Sequence, residues 1–421
     1  MSLTTPKPKL NVLVSGAGIA GTCLAYWLSK TPFNASITVL ERSPVPRPTG
    51  QSVDIRGPAI SIVKKMGLEP AIRARSTNEE RTVLLNAAGK PFAGFGKGDA
   101  FTAEYEILRA DLCGLFLDAT KELDSVKYAY GDYVTALDQT EKNVNVTFNS
   151  GRKDTYDLVI AADGSTSKIR SMILDEVSLK NSYRFLGQYI AFFSIPSLPT
   201  DTKDWLWYNA PNNNPKTPKG LGLMTRPHRN PDTIGVYMCI TTPARGHYDP
   251  LVEEALKGGV EAQKKVLHKY FEHAGWQAKR ILAGMDNADD FYMSRSATVH
   301  LPKWHNNRTV LLGDAAFATF GIGTSLAIQS AYFLAGELSK IKSNADIPQA
   351  LAKYEEAFRK VQGEEDLPPG YPQSAFPSTT WGLRLRDATM WLACKTKVYK
   401  LMPNGDAEDS SALPEFKWVG A

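Results

Sequence analysis

Apolar and helical patterns alternate at the start of the chain. Residues 10–15 (LNVLVS) form a continuous apolar run, which is typical of a parallel strand that is buried on both faces. A glycine-rich turn follows, and residues 22–29 then predict a helix before a second apolar strand at residues 37–40. Glu41 ends that strand. The pattern predicts a strand–helix–strand unit that opens a doubly wound nucleotide-binding domain.

Two more strands of the same apolar kind occur much later in the chain. Residues 157–162 (DLVIAA) run into an Asp-Gly pair, and residues 308–312 (RTVLL) run into a Gly-Asp pair. Open parallel sheets bind ligands at the carboxyl ends of their strands, so we expect both pairs to lie beside the glycine turn. A helix with small residues on one side is predicted over residues 325–342. The first domain is therefore discontinuous in sequence.

The segments between these strands have a different pattern, with short alternating strands and Gly and Pro turns. Residues 79–106 predict an inserted hairpin, and one long helix is predicted over residues 252–274. Further strands are predicted at 189–195, 205–208, 220–225 and 233–241. Together these segments predict a second, mostly antiparallel sheet domain.

We therefore predict an α/β fold made of a Rossmann-like domain, an inserted sheet domain and a C-terminal helix. The Rossmann-like domain is assigned to residues 1–78, 100–182 and 294–375, the sheet domain to residues 79–99 and 183–293, and the C-terminal helix and tail to residues 376–421. The stretch 381–402 carries six charges and predicts an amphipathic helix rather than a membrane span.

Composition excludes several classes of protein. Apolar residues make up 43% of the 421 residues and charged residues 22%, as in ordinary globular chains. The formal charge of +5 is not concentrated in one stretch, which argues against nucleic-acid binding. Four scattered cysteines indicate neither a disulfide framework nor a metal site. We expect a cytoplasmic monomer or homodimer without an export signal or a membrane-integral segment.

The glycine turn GAGIAG carries the first candidate chemistry. Gly16 permits a tight turn, Gly18 lets the backbone approach a pyrophosphate, and Gly21 lets the helix pack closely on the strand. The phosphate charge then meets a helix N-terminus. Glu41 follows 20 residues after Gly21, where a carboxylate can accept hydrogen bonds from a ribose diol. A dinucleotide site is predicted here.

Four motifs, in order and spacing, resemble those of the single-component (group A) FAD-dependent monooxygenases, the p-hydroxybenzoate hydroxylase-like family. They are GAGIAG with Glu41 and Arg42, ILRADL at 107–112, DLVIAADGSTSKIR at 157–170, and LLGDAAF at 311–317. Residues 323–338 (GTSLAIQSAYFLAGEL) are most similar to the tetracycline-destructase-like branch. The resemblance covers nearly the whole chain and implies the fold type of that family.

The resemblance also implies which residues bind FAD. The turn Gly16, Gly18, Ile19, Ala20 and Gly21 would hold the pyrophosphate, Glu41 the adenosine ribose and Arg42 the adenine side. Arg109 would reach the flavin and its ribityl or phosphate oxygens, Asp163 and Gly164 would serve both FAD and NAD(P)H, and Asp314 after Gly313 would bind the ribityl hydroxyls. The helix starting at Gly323, Thr324 and Ser325 would point its N-terminus at the flavin pyrimidine edge, where reduced flavin is anionic.

The implied activity is oxygenation by FAD, with NAD(P)H and O2 as co-substrates. An apolar, aromatic or polyketide-like small molecule would be hydroxylated by a C4a-(hydro)peroxyflavin, or oxidised by Baeyer–Villiger insertion. The six histidines are scattered, and no side chain is identified as catalytic. Aromatic residues of the sheet domain are candidates for either a substrate pocket or plain core, namely Phe192, Phe193, Trp205, Trp207, Tyr208, Tyr237, Phe291 and Tyr292.

Alternatives remain at this stage. Taken singly, Arg109 and Arg170 are read as surface or helix-end cations, and Asp314 as an ordinary helix N-cap. Phe317 stands where many relatives have His or Tyr, and the loop before Gly321 is about three residues shorter than the family pattern. That departure favours an FAD-dependent dehydrogenase, oxidase or redox-neutral cyclase as the second hypothesis. A flavoprotein that serves as a binding or regulatory module is the third.

Overall fold

The secondary structure follows the predicted order of apolar runs. The computed structural model describes residues 9–46, 50–99, 101–211, 219–363, 370–401 and 413–419. The strands in these ranges are β1 Lys9–Ser15, β2 Asn34–Glu41, β3 Ser52–Ile55, β4 Arg81–Leu85, β5 Pro91–Gly96, β6 Tyr105–Leu108, β7 Val126–Tyr130, β8 Val134–Gln139, β9 Val144–Phe148, β10 Lys153–Tyr156, β11 Leu158–Ala161, β12 Tyr183–Pro196, β13 Asp204–Ala210, β14 Gly220–Pro227, β15 Thr233–Thr241, β16 Tyr292–Val299, β17 His305–Asn306 and β18 Thr309–Leu311. The α-helices are α1 Ile19–Ser29, α2 Pro58–Lys65, α3 Glu69–Ala74, α4 Arg109–Asp118, α5 Lys168–Ile173, α6 Glu176–Leu179, α7 Pro250–Lys257, α8 Gly259–Phe271, α9 Ala278–Asp286, α10 Asp314–Phe317, α11 Gly323–Leu338, α12 Ile347–Gln362 and α13 Thr380–Thr396.

A six-stranded sheet forms the core of the Rossmann-like part of the fold, in the order β17-β18-β11-β1-β2-β7. All of its neighbours are parallel except β17 and β18. The strands β1, β11 and β18 are almost wholly buried, because helices cover both faces of a parallel sheet. On one face α1 packs against α11, where the ring of Trp27 meets that of Tyr332 at 4.9 Å. The doubly wound α/β fold that the sequence predicts is confirmed.

A seven-stranded sheet forms the other half, in the order β16-β12-β15-β14-β13-β4-β5. It is antiparallel except between β13 and β4, so the predicted hairpin of β4 and β5 joins the sheet at one edge. The predicted domain boundary at residue 294 falls inside β16, which pairs with β12 along its whole length. The exact division into domains stays a prediction.

The single long helix predicted over residues 252–274 is wrong. The chain forms two helices there, because α7 ends at Gly258 and α8 begins at once with Gly259 in the left-handed region at φ +81°. The apolar periodicity continues across the break, since Val252 in α7 and Leu267 in α8 pack into one core. Periodicity alone could not reveal a change of direction that two glycines permit.

The C-terminal part of the chain lies against the outer end of the seven-stranded sheet. Cys394 in α13 donates a hydrogen bond from Sγ to the carbonyl oxygen of Gly94 at 3.2 Å. Phe376 stacks on Trp207 with 5.1 Å between ring centroids, and its backbone approaches Gly220 so closely that a Cβ there would overlap it. This segment therefore covers one face of the sheet. Among the described helices, none combines the length and apolarity that crossing a bilayer requires.

Candidate active site

A cavity of about 1230 Å³ lies between the two large sheets. One end is walled by the motifs at the carboxyl ends of the parallel strands, and the other by the seven-stranded sheet, α13 and the segment before it. The predicted cofactor residues that line it are Gly18, Ile19, Ala20, Arg109, Gly164, Asp314, Gly323 and Thr324. The motifs that lie far apart in sequence thus meet at one surface.

The glycine turn has the geometry that its spacing predicts. Gly16 adopts φ +115°, and a Cβ at this position would overlap the carbonyl oxygen of Ala162 at the end of β11. A Cβ at Gly21 would overlap the carbonyl oxygen of Gly16, so α1 packs directly on the turn. Gly18 is the N-cap of α1, which has neither a side-chain cap nor an acidic residue in its first turn. No side chain of α1 itself therefore caps its first N–H groups.

Glu41 is held beside this turn at the end of β2. Its carboxylate accepts hydrogen bonds from the backbone N–H groups of Ala17 at 3.1 Å and Ser43 at 2.9 Å. These bonds orient the side chain toward the turn, where the sequence places a ribose. Arg42 is exposed on the neighbouring surface, and neither residue is part of the cavity wall itself.

Arg109 and Asp314 approach the turn from different elements. Arg109 begins α4, and its Nη2 would lie 3.8 Å from a Cβ on Gly18. Asp314 begins α10, and its side chain is open to the cavity although protein surrounds it. Burial raises the pKa of Asp314, and the charge of Arg109 opposes that rise. Both residues line the cavity, so Arg109 is not a plain surface cation, and Asp314 is the first residue of α10, whose N-cap is Gly313.

The start of α11 completes this end of the cavity. Gly323 lies with its Cα beside Asp314, since a Cβ there would be 3.4 Å from Oδ1, and α11 has no side-chain cap and no acidic residue in its first turn. Gly313 packs against α1, where a Cβ would be 3.0 Å from that of Ala20. Ser325 is buried instead of lining the cavity, and its hydroxyl accepts a hydrogen bond from the backbone N–H of Arg56 at 2.9 Å.

The Asp-Gly pair after β11 has a structural role that its sequence position did not reveal. Asp163 accepts hydrogen bonds from the backbone N–H groups at the start of α5, from Lys168 at 3.1 Å, while its Oδ1 has no partner among the described residues. Gly164 lines the cavity with φ +84°. Arg170 is buried and donates to the carbonyl oxygens of Ala315 and Ser165 at 3.1 and 2.8 Å. It joins this motif to α10, and is not a surface cation.

The short loop after α10 forms part of the cavity wall. Phe317 turns away into the core, where its ring lies 4.8 Å from that of Trp304. Thr319, Phe320 and Gly321 line the cavity instead, and Phe320 contacts the ring of Tyr371 at 5.1 Å. The position that many relatives fill with His or Tyr is thus a core position here.

The seven-stranded sheet supplies an aromatic wall. Strand alternation separates the aromatic candidates, because successive side chains point to opposite faces of a sheet. Phe192, Trp205, Trp207 and Tyr237 line the cavity, whereas Phe193, Tyr208 and Phe291 belong to the core on the other face. Tyr292 stacks on Phe192 with ring centroids 5.0 Å apart, and its hydroxyl donates to Oε1 of Gln51. The sequence left open whether these aromatic residues line a pocket or belong to the core. The strand pairing decides between the two.

A buried ion cluster supports this wall, in which Arg226 lines the cavity and the carboxylates of Glu79 and Glu106 lie behind it. Arg226 donates from Nε to Glu79 at 2.7 Å, its Nη2 lies 3.0 Å from Glu106, and its guanidinium covers the ring of Trp205 at 4.1 Å. Two carboxylates and one guanidinium balance only when one carboxyl holds a proton. Burial raises the pKa of Glu79 to about 7, with the charge of Arg226 opposing and that of Glu106 adding to the rise. The sequence analysis missed this cluster, since its members come from three separate strands or loops.

Residues near the C-terminus close the side of the cavity that lies away from the glycine turn. Gln373 donates to the carbonyl oxygen of Leu186 at 2.9 Å, which fixes the segment before α13. From α13 itself, Leu385, Arg386, Thr389 and Met390 reach the wall. The sequence predicted this helix and its packing on the body, but no motif marked these residues as part of a site.

Comparisons with known proteins agree with this geometry. The model of a family described as FAD binding domain matches residues 9–364. The FAD-dependent monooxygenase asL4 of Sarocladium schorii is 34% identical, over 97% of this chain and 97% of that protein. Monooxygenase CTB7 of Cercospora beticola is also 34% identical, over 97% of this chain and 98% of that protein. Both alignments span the cavity from one wall to the other.

Among solved structures, the tetracycline destructase Tet(51) superimposes with a TM-score of 0.73. It is 27% identical, and the superposition covers 98% of this chain and 100% of that one. The similarity includes the seven-stranded sheet and the C-terminal part as well as the parallel sheet. It agrees with the branch that residues 323–338 resemble.

Proposed function

Because this chain belongs to the FAD-dependent monooxygenases that carry the FAD binding domain, we propose that it uses NAD(P)H and O2 to oxygenate an apolar, aromatic or polyketide-like small molecule. The single observation that carries the proposal is the continuous cavity of about 1230 Å³, with cofactor motifs at one end and an aromatic wall at the other. A substrate held against that wall lies in the same space as the cofactor.

The residues present fit FAD. The uncapped start of α1 and the left-handed Gly16 would hold the pyrophosphate, and Glu41, fixed by two backbone N–H groups, would accept hydrogen bonds from the adenosine ribose. Asp314 would bind ribityl hydroxyls, and Arg109 would contact the flavin side. The uncapped start of α11 offers partial positive charge to the cofactor's pyrimidine edge.

FAD supplies the redox and oxygen chemistry when bound, and the chain positions the reactants. The aromatic wall and the short loop at Thr319 to Gly321 line the cavity and would exclude water from the space beside bound FAD. Arg226, held by Glu79 and Glu106, fixes the ring of Trp205 in that wall. The name of Tet(51) suggests polycyclic, oxygen-rich compounds, and tetracycline belongs in any substrate panel.

One experiment tests this proposal. The purified FAD-loaded protein is mixed anaerobically with NADPH or NADH, and the loss of the flavin's visible absorbance is followed with and without a panel of polycyclic phenols and 1,3-diketones. Isotopically labelled O2 is then admitted. We expect a nicotinamide to reduce the flavin and one labelled oxygen atom to appear in a product found by mass spectrometry.

The short loop after α10 favours a second candidate, an FAD-dependent dehydrogenase, oxidase or redox-neutral cyclase. Phe317 packs in the core, so Thr319, Phe320 and Gly321 and not this side chain would shape the space beside bound FAD. Conversion of a panel compound without label in the product, with a flavin that neither nicotinamide reduces, would replace the monooxygenase proposal with this one.

A further inference from the structure

Among the described residues, four arginine side chains line the cavity. They differ in how completely nearby carboxylates neutralise them. Each has a carboxylate nearby, as Arg56 with Asp54, Arg109 with Asp314, Arg226 with Glu79 and Glu106, and Arg386 with Asp387. The first two lie among the cofactor motifs. The third is bound by two buried carboxylates and by Tyr237 at 3.4 Å, so its hydrogen-bonding capacity is largely used.

Arg386 differs from the other three. Its side chain is only 7% exposed, and its Nε has no hydrogen-bond partner among the described residues. The partner carboxylate Asp387 is the next residue of the same helix, 2.8 Å from Nη2, and its side chain is 28% exposed. The exposed part of Asp387 is not the oxygen that faces Arg386, because Oδ1 itself is buried. Burial lowers the pKa of Arg386 and raises that of Asp387, so it disfavours the charged form of both side chains.

A buried cation with an unused donor is unfavourable unless a further acceptor reaches it. The described protein supplies none at Nε, and Nε is itself buried, so a ligand in the cavity would meet the guanidinium at its Nη nitrogens. The substrate side of the cavity thus favours ligands that bring electron-rich oxygen atoms.

We propose that Arg386 recognises an acidic oxygen of the substrate, a phenolate or an enolate, in the space between α13 and the seven-stranded sheet. This inference rests on the proposed function, since it assigns the substrate class of the same cavity. A delocalised anion fits better than a carboxylate for two reasons. Asp387 already offsets part of the Arg386 charge, and the surrounding wall of Trp205, Trp207 and Met390 suits a planar conjugated system.

The chemistry of the proposed reaction gives this contact a purpose. An ionised oxygen conjugated to a ring or a double bond raises the electron density at the neighbouring carbons, which are then the preferred sites for oxygen transfer. Arg386 would select substrates that carry such an oxygen, and would hold that oxygen at the α13 side of the cavity, away from the cofactor motifs. It is a substrate-binding residue in this account.

Matched pairs of probes test the proposal without turnover. The probes are 1,8-dihydroxyanthraquinone, 1,3-dihydroxynaphthalene and 2-acetyl-1,3-cyclohexanedione, each compared with its O-methylated derivative. Dissociation constants for the FAD-loaded protein are measured by calorimetry and by the change in the flavin spectrum. We expect at least one free acid to bind about tenfold or more tighter than its ether, as a charge-assisted hydrogen bond would provide.

Variants assign that preference to a residue. Arg386→Gln should bring the ratio between acid and ether to within about twofold, and Arg386→Lys should restore part of it because the charge returns. Arg384→Gln is the matched control, since Arg384 is exposed two residues away on α13. If Arg386→Gln loses its fold or its FAD, the double variant Arg386→Gln with Asp387→Asn removes both charges together and replaces it.

The outcomes separate this inference from the proposed function. No preference for any free acid, or a preference unchanged in the Arg386 variants, overturns the inference even if oxygenation is observed. A preference that depends on Arg386, together with the absence of labelled product, upholds the binding site and rejects oxygenation.

Discussion

The two walls of the cavity are built in different ways. At the parallel sheet, the residues of the cavity wall come immediately after the ends of strands. The backbone conformation at Gly16, Gly18 and Gly164 largely shapes this wall. On the seven-stranded sheet, the residues of the wall lie along strands, and side chains such as Trp205 and Tyr237 form the surface. One type of turn can bind a cofactor that a whole family shares, whereas a particular substrate requires a particular set of side chains.

The backbone dependence of the first wall predicts the largest effect. Gly16→Ala places a Cβ against the carbonyl oxygen of Ala162 and forces a left-handed φ on alanine. We expect a loss of about 3 kcal/mol or more in the free energy of unfolding, with loss of bound FAD. Thermal unfolding and the flavin content after gel filtration measure both.

Gly114→Ala is the matched control for that change. Gly114 lies inside α4 with open space around its Cα, so alanine should be neutral or slightly stabilising. If Gly16→Ala were as stable and as yellow as this control, the turn would not have the role assigned to it.

The next largest effect concerns a side chain of the same wall. Asp314→Asn should weaken FAD binding by about tenfold to a hundredfold, because charge-assisted hydrogen bonds to the ribityl hydroxyls are lost. The fold should survive, since the Asp314 side chain is open to the cavity. The measurement is a titration of the apoprotein with FAD. Asp118→Asn, on the surface of α4, serves as the control, and equal affinities in the two variants would contradict the assignment.

The ion cluster that supports the second wall predicts a pH effect. Burial raises the pKa of Glu79 to about 7, above its ordinary value of 4.5, so the folded state holds this proton more tightly than the unfolded state. The contribution of Glu79 to stability is therefore present at low pH and falls as pH rises from about 4.5 to 7, by at most about 1.4 kcal/mol per pH unit. Glu79→Gln lacks this titration. Urea unfolding across the window should show wild type losing stability relative to the variant, and parallel curves would show that Glu79 does not hold the proton.

The smallest expected effect on stability and FAD content comes from a change in the aromatic wall. Trp205→Phe keeps an aromatic ring over which Arg226 can lie. It removes the second ring of the indole together with an N–H group that has no partner among the described residues. We expect stability within about 1 kcal/mol of wild type and unchanged FAD content, but a changed rate of flavin reduction in the presence of panel compounds. A loss of FAD would show that the two walls are coupled more tightly than their construction suggests.

Prediction from sequence succeeded where chemistry is concentrated in short segments. The strands β1, β2, β11 and β18 of the parallel sheet followed from apolar runs, and the FAD family followed from four motifs. It failed at the helix over residues 252–274, because Gly258 and Gly259 end one helix and start another without interrupting the apolar period. The sequence analysis also interpreted Arg170, taken singly, as a surface or helix-end cation, although that side chain is buried between two motifs.

The sequence by itself determined the cofactor half of this protein, because a turn, a strand end and a helix start are local structures whose requirements are written in adjacent residues. Tertiary structure alone decided the wall that the seven-stranded sheet and α13 form. Arg226 meets Glu79 and Glu106 across 147 and 120 positions of chain, and α13 reaches the cavity from the far end of the sequence. Such contacts depend on strand register and helix docking, in which a shift of one residue moves a side chain from the cavity to the core. No short motif records that choice.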